Sequence, residues 1–141
     1  MLTYITLGTN DLARALAFYD PVLQVLGMSR CDTSAEGDWE GWAGWGTYQQ
    51  SGLVQLALWV CQPQDGRPAT AGNGTMVAIR ATSWGEVERA YETALANGGS
   101  SEGSPGLRLQ YNPDFYAAYV RDPDGNKLAF VCRGFTCDPE A

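Results

Sequence analysis

Tyr4-Ile5-Thr6-Leu7 and, 72 residues later, Met76-Val77-Ala78-Ile79 are two short apolar stretches that open the same pattern twice. At that offset Leu12 falls on Trp84, Ala15 on Val87, Tyr19 on Tyr91, Leu23 on Leu95 and Gly27 on Gly99. Each copy reads as a strand, a capped amphipathic helix and a glycine stop. A unit this small cannot bury its apolar face alone, so the repetition predicts two similar halves that pack together. A site shared between such halves must draw on equivalent positions, and the offset says where they are.

Working outward, residues 2–7 alternate and are rich in β-branched and aromatic side chains, which reads as a strand. Thr9-Asn10-Asp11 supplies an N-cap, and Leu12, Ala15, Leu16, Tyr19, Leu23 and Leu26 follow at helical spacing. Pro21 should kink or break that helix, and Gly27 stops it. Strands are expected at 28–33, 42–49 and 53–61. In the second copy, a strand at 75–81 precedes the capping box Ser83-Trp84-Gly85-Glu86, with Glu86 placed to reach back to the Ser83 backbone. Val87, Ala90, Tyr91, Ala94 and Leu95 form the stripe that Asn97-Gly98-Gly99 closes. Residues 100–113 read as loop with a short strand near 107–110, and strands at 115–121 and 127–133 flank the turn Asp122-Pro123-Asp124-Gly125. The order is β-α-β-β-β twice, an α+β arrangement with helices to one side of a mixed, mainly antiparallel sheet. It predicts one domain over 1–141: module one at about 1–62, a Pro/Gly-rich linker at about 63–74 and module two at about 75–135.

At 141 residues the chain can bury a real core. Nine basic against sixteen acidic residues give a net charge of -7, and along the sequence no Lys/Arg cluster stands out. That balance disfavours nucleic-acid binding, which needs phosphate neutralisation, and anionic membranes would repel it. No membrane span and no signal-peptide pattern is present, so a cytoplasmic location is expected. Cys31, Cys61, Cys132 and Cys137 lack Cys-x-x-Cys spacing and read as reduced thiols. Asn73-Gly74-Thr75 matches the glycosylation pattern by chance on this reading.

Asn10-Asp11-Leu12 followed by Ala17-Phe18-Tyr19, and later Arg121-Asp122-Pro123-Asp124-Gly125-Asn126, resemble the two hallmark stretches of the vicinal oxygen chelate superfamily. This superfamily includes glyoxalase I, bleomycin-resistance proteins and extradiol dioxygenases. The resemblance covers nearly the whole chain, with its middle, 29–52, matched by element order alone. It implies two βαβββ modules curled into a cup around a ligand cavity, with helices on the convex side, and a homodimer. It also implies a divalent metal held by His, Gln or Glu on the first and last strand of each module. Carried onto this chain, those positions are Tyr4, Ala57, Met76 and Ala129. None suits a hard or borderline cation, and the sequence has no histidine. Metal-dependent chemistry is disfavoured, and no cofactor is expected.

If those four positions face the cavity, alternation places Thr6, Gln55, Trp59, Ala78 and Arg80 there too. Reflection about the Asp122–Gly125 turn adds Tyr116 and Ala118. Trp59, Tyr4, Tyr116 and Met76 would offer flat, polarizable walls to an aromatic ligand, and Arg80 a partner for an anionic one. Against this, Trp59 and Met76 read more readily as ordinary packing residues than as ligand contacts, and Arg80 fits a strand-edge ion pair equally well. Trp39, Trp42 and Trp45 sit among glycines and do not form a helical face; they cover the cavity mouth, join a subunit contact or patch the weakly specified middle. Nucleophilic triads need a histidine that is absent. Three readings remain: a metal-free protein binding a small aromatic or anionic molecule; a lactoylglutathione-lyase-like or dioxygenase-like enzyme with a non-standard or absent metal, including an isomerase using Tyr4 or Tyr116 as acid/base; and a homodimer with a structural role. The first is preferred.

Overall fold

The computed structural model describes residues 1–37 and 39–134. Their elements run β1 (Tyr4–Gly8), α1 (Leu12–Val25), β2 (Trp42–Gln49), β3 (Val54–Cys61), β4 (Val77–Arg80), α2 (Trp84–Ala96), β5 (Ser100–Leu107), β6 (Tyr116–Arg121) and β7 (Lys127–Cys132). Two open sheets result, ordered β1-β3-β2 and β4-β7-β6-β5. In each, the first strand of the module lies parallel to the last, and the remaining pairs are antiparallel. This is the expected α+β arrangement, with helices packed on one side of mixed sheets.

Local chemistry explains the helix starts. The Asp11 carboxylate accepts from the Arg14 backbone N–H, and the Ser83 hydroxyl from that of Glu86, each satisfying a donor that the first turn leaves open. Glu86 reaches back one residue further than expected, accepting from the Thr82 N–H at 2.6 Å. Pro21 neither breaks nor ends α1. Phe18, Tyr19, Val22 and Leu23, on either side of it, are fully buried, and such packing outweighs the missing N–H.

The core lies between helices and sheets, with Leu7, Leu58, Ile79, Leu128 and Phe130 meeting Phe18, Val22, Val87 and Ala90. The turn at 122–126 ties the modules together. Thr9, the Asn10 N–H and Arg14 all donate to the Asp124 carboxylate, and Asn126 Nδ2 donates to the Gly8 carbonyl.

Two expected strands move. Residues 28–33 are reduced to an isolated bridge between Arg30 and Trp45. In module two the corresponding strand is β5, which ends at Leu107 where the expected 107–110 strand begins, and a turn follows at 109–110. Of the cysteines, Cys31 and Cys61 are free. Cys132 is disulfide-bonded, which corrects the expectation of four reduced thiols. Cys137 and the expected module end at 135 lie outside the described residues.

Candidate functional site

Side chains of a strand alternate between faces, so the residues that do not meet the helices line the opposite face of each sheet. In the first sheet that face is aromatic. Tyr4 of β1, Trp42 and Tyr48 of β2, Gln55 and Trp59 of β3, and Trp39 surround a cavity of about 540 Å³. Trp39 stacks on Trp59 with ring centres 5.1 Å apart and planes at 21°, while Tyr48 stands edge-on to both. The Tyr48 hydroxyl donates to the Glu36 carboxylate, which pushes that phenol up to about 12. Gly44 makes the wall possible: it faces Trp59 across the ladder, and a Cβ there would fall 2.3 Å from Trp59 Cε3. Trp45, one residue on, points the other way. It is buried beneath α1, donates to Asp20 at 2.8 Å and packs on Tyr19.

The same face of the second sheet is basic. Arg108, Arg121, Lys127 and Arg133 line a cavity of about 840 Å³ with Met76, Tyr119 and Phe115. Glu102 pairs with Arg121 at 2.8 Å. The sequence hides this grouping because its members are spread over 26 positions and are gathered only by strand pairing. Arg121 lies opposite Lys127, and Tyr119 opposite Ala129.

The expected pocket residues do not converge. Tyr4, Gln55 and Trp59 line the aromatic cavity, and Met76 the basic one. Ala57 and Arg80 border a groove of about 700 Å³ between β1 and β4, which Tyr4 also reaches. Thr6 lies by Gly8, Trp42 and the linker, and Ala129 is fully buried.

Tyr116 lies on the helix face, a correction to its expected place, as does Ala118. Tyr116 stacks on Trp84 at 4.3 Å and donates to Glu88 at 2.7 Å. Burial first and the Glu88 bond second push its phenol up to about 12. The reason is one residue of turn. Gln49 pairs with Val54 across four residues, whereas Arg121 pairs with Lys127 across five. That single insertion turns every side chain of β6 over relative to the 72-residue echo. Register also separates two of the four equivalent positions. Tyr4 lies opposite Ala57, but Ala129 faces Ala78 rather than Met76.

Comparison with known proteins adds three findings. The family model described as Glyoxalase/Bleomycin resistance protein/Dioxygenase superfamily matches residues 1–130. No curated protein sequence matches the chain. Among solved structures, a glyoxalase/bleomycin resistance protein from Albidiferax ferrireducens T118 is 30% identical with a TM-score of 0.77, over 95% of this chain and 99% of that one. A glyoxalase-related enzyme from Fulvimarina pelagi is 20% identical with a TM-score of 0.67, over 93% and 86%. Lactoylglutathione lyase from Agrobacterium tumefaciens, also 20% identical, has a TM-score of 0.58 over 93% and 92%. The last two likenesses concern the fold alone.

Proposed function

The chain belongs to the Glyoxalase/Bleomycin resistance protein/Dioxygenase superfamily, and within it we propose a protein that binds a small planar molecule against aromatic walls without a metal ion. The observation that carries this reading is the stacked Trp39–Trp59 pair, with Tyr48 and Tyr4, around an open cavity on the face away from the helices. Aromatic walls of this kind favour flat, polarizable ligands by offset or edge contact.

The residues at the superfamily's metal positions do not fit a divalent cation. A phenol, a thioether and two methyl groups are offered where carboxylate or imidazole is needed. Among the described residues, no group of three or more His, Cys, Asp or Glu is placed to hold one. No helix among them is long and apolar enough to cross a membrane. The working unit on this reading is a homodimer, supported by the unpaired edges of β1 and β4.

Ligand-observed NMR with quinoline, together with elemental analysis of the purified protein, tests the proposal. Quinoline should bind, and Trp59→Ala or the milder Trp39→Ala should weaken it by about tenfold, the loss of one good aromatic contact. Stoichiometric Zn, Ni, Mn or Fe in the purified protein would overturn the metal-free reading. Binding that both variants leave intact would overturn the aromatic site.

A further inference from the structure

Four of the nine basic residues of this chain line one cavity, in a protein whose net charge is -7. Among the described residues a single acidic side chain, Glu102, shares that lining, and it is already engaged by Arg121. Neither Arg108 nor Lys127 belongs to any ion pair of the described residues.

Arg108 is nonetheless fixed. Its two terminal nitrogens donate to the carbonyls of Gly106 and Ser104 at 2.9 and 2.7 Å, which orients the guanidinium without cancelling its charge. Two of its five N–H donors are so used, and the rest remain for a ligand. Its Cζ lies 5.3 Å from the centre of the Tyr119 ring, and Lys127 Nζ lies 5.7 Å from the same centre. Two half-buried cations are thus gathered on one aromatic side chain, with Arg121 and Arg133 on the same cavity. Like charges brought together repel, and a mouth lined this way focuses a positive potential on whatever enters.

We infer that this cavity is an anion site, taking a small organic molecule with a dianionic headgroup such as a phosphate monoester, with Arg108 and Lys127 on the headgroup and Tyr119 against the adjoining carbon skeleton. A guanidinium with its fork held open suits phosphate or carboxylate oxygens, and an ammonium adds a point charge. A single carboxylate would match only one of the two positive charges of Arg108 and Lys127. The cavity, rather than a surface stripe, and the acidic remainder of the chain select a small molecule over nucleic acid. The inference goes beyond the reading above, because this cavity shares no lining residue with the aromatic one.

The experiment is a titration of the full chain with phenyl phosphate, benzoate and benzyl alcohol at low salt, followed by ligand-observed NMR. Phenyl phosphate should bind tightest, benzoate next and benzyl alcohol weakest. Added sodium chloride should weaken the first two and leave the third unchanged. Lys127→Gln and Arg108→Gln should each weaken phenyl phosphate by about tenfold, the worth of one charge-assisted bond, and spare benzyl alcohol. Lys127→Gln removes no side-chain hydrogen bond among the described residues, so it stays informative if the arginine variant unfolds. Phenyl phosphate bound no more tightly than benzyl alcohol would overturn the anion site while leaving the aromatic cavity standing. So would phenyl phosphate binding that survives Lys127→Gln but fails in Trp39→Ala. Absence of binding by all three would overturn the anion site, while quinoline binding decides the aromatic cavity separately.

Discussion

Asp122 is 4% exposed, and four donors converge on its carboxylate. The Tyr19 hydroxyl lies at 2.5 Å, Asn126 Nδ2 at 2.9 Å, and the backbone N–H groups of Asp124 and Asn126 both at 2.9 Å. A buried carboxylate is tolerable only when satisfied in this way. Tyr19 carries the complementary burden: burial first, and the Asp122 charge next, raise its phenol well above the ordinary value of 10.0. Because the folded state holds that proton more tightly, the unfolded chain releases it at lower pH. The contribution is therefore whole below pH 10 and declines as pH rises toward the folded value. Tyr19→Phe should cost about 1–3 kcal/mol at pH 7, the worth of a buried bond to a charged group. The gap between wild type and variant should then narrow by about 1.4 kcal/mol at pH 11, one unit above the unfolded pKa. Urea denaturation of both proteins at the two pH values measures it. A gap that does not change with pH means that the phenol titrates alike in both states, and the argument fails.

At the scale of elements, β2 shows how a strand can be built to accommodate a neighbour. Gly44 leaves room for the Trp59 ring, which is itself held by stacking on Trp39 and cannot swing aside freely. Gly44→Ala should displace Trp59 from that stack at a cost of about 1–3 kcal/mol, as overpacking does. The change should show as altered near-ultraviolet circular dichroism and weaker quinoline binding. An unchanged spectrum and an unchanged melting temperature would show that the wall does not depend on this glycine.

Much of the element plan was legible in the sequence for physical reasons. Both helices carry a side-chain cap and an apolar stripe, and they begin at Leu12 and Trp84, 72 residues apart. The bounds of β2 were readable too. What escaped had no local signature. Ser100–Leu107 is poor in β-branched residues and includes Pro105, a pattern tolerated because β5 is an edge strand with irregular register. The extra turn residue before β7 carries no signal of its own, yet it decided that Tyr119 rather than Tyr116 faces away from the helices. Of the aromatic cavity, Tyr4, Gln55 and Trp59 followed from alternation, whereas placing Trp39 and Trp42 beside them required the fold. The basic cavity, a product of pairing between distant strands, was not legible at all.

Across the whole molecule, the two sheets end in complementary problems. β1 and β4 are each paired on one side only, and between them runs a groove lined by Leu2, Ile5, Met28, Leu56 and Val77. Leu2, Leu56 and Met76 are 61%, 65% and 45% exposed, although they belong to or flank strands. Unpaired edges beside exposed apolar side chains invite a partner, and a second copy would cover both at once. The chain should therefore sediment at twice its 15.2 kDa mass at micromolar concentration. Leu56→Asp should shift it toward the single-chain mass, because a charge buried in an apolar contact goes uncompensated. Leu56 is exposed in the isolated chain, so the substitution should change the unfolding free energy of the separated chain by no more than about 0.5 kcal/mol, as surface changes do. A wild-type chain that sediments at 15.2 kDa sinks the dimer. A Leu56→Asp chain that remains paired moves the contact away from this groove.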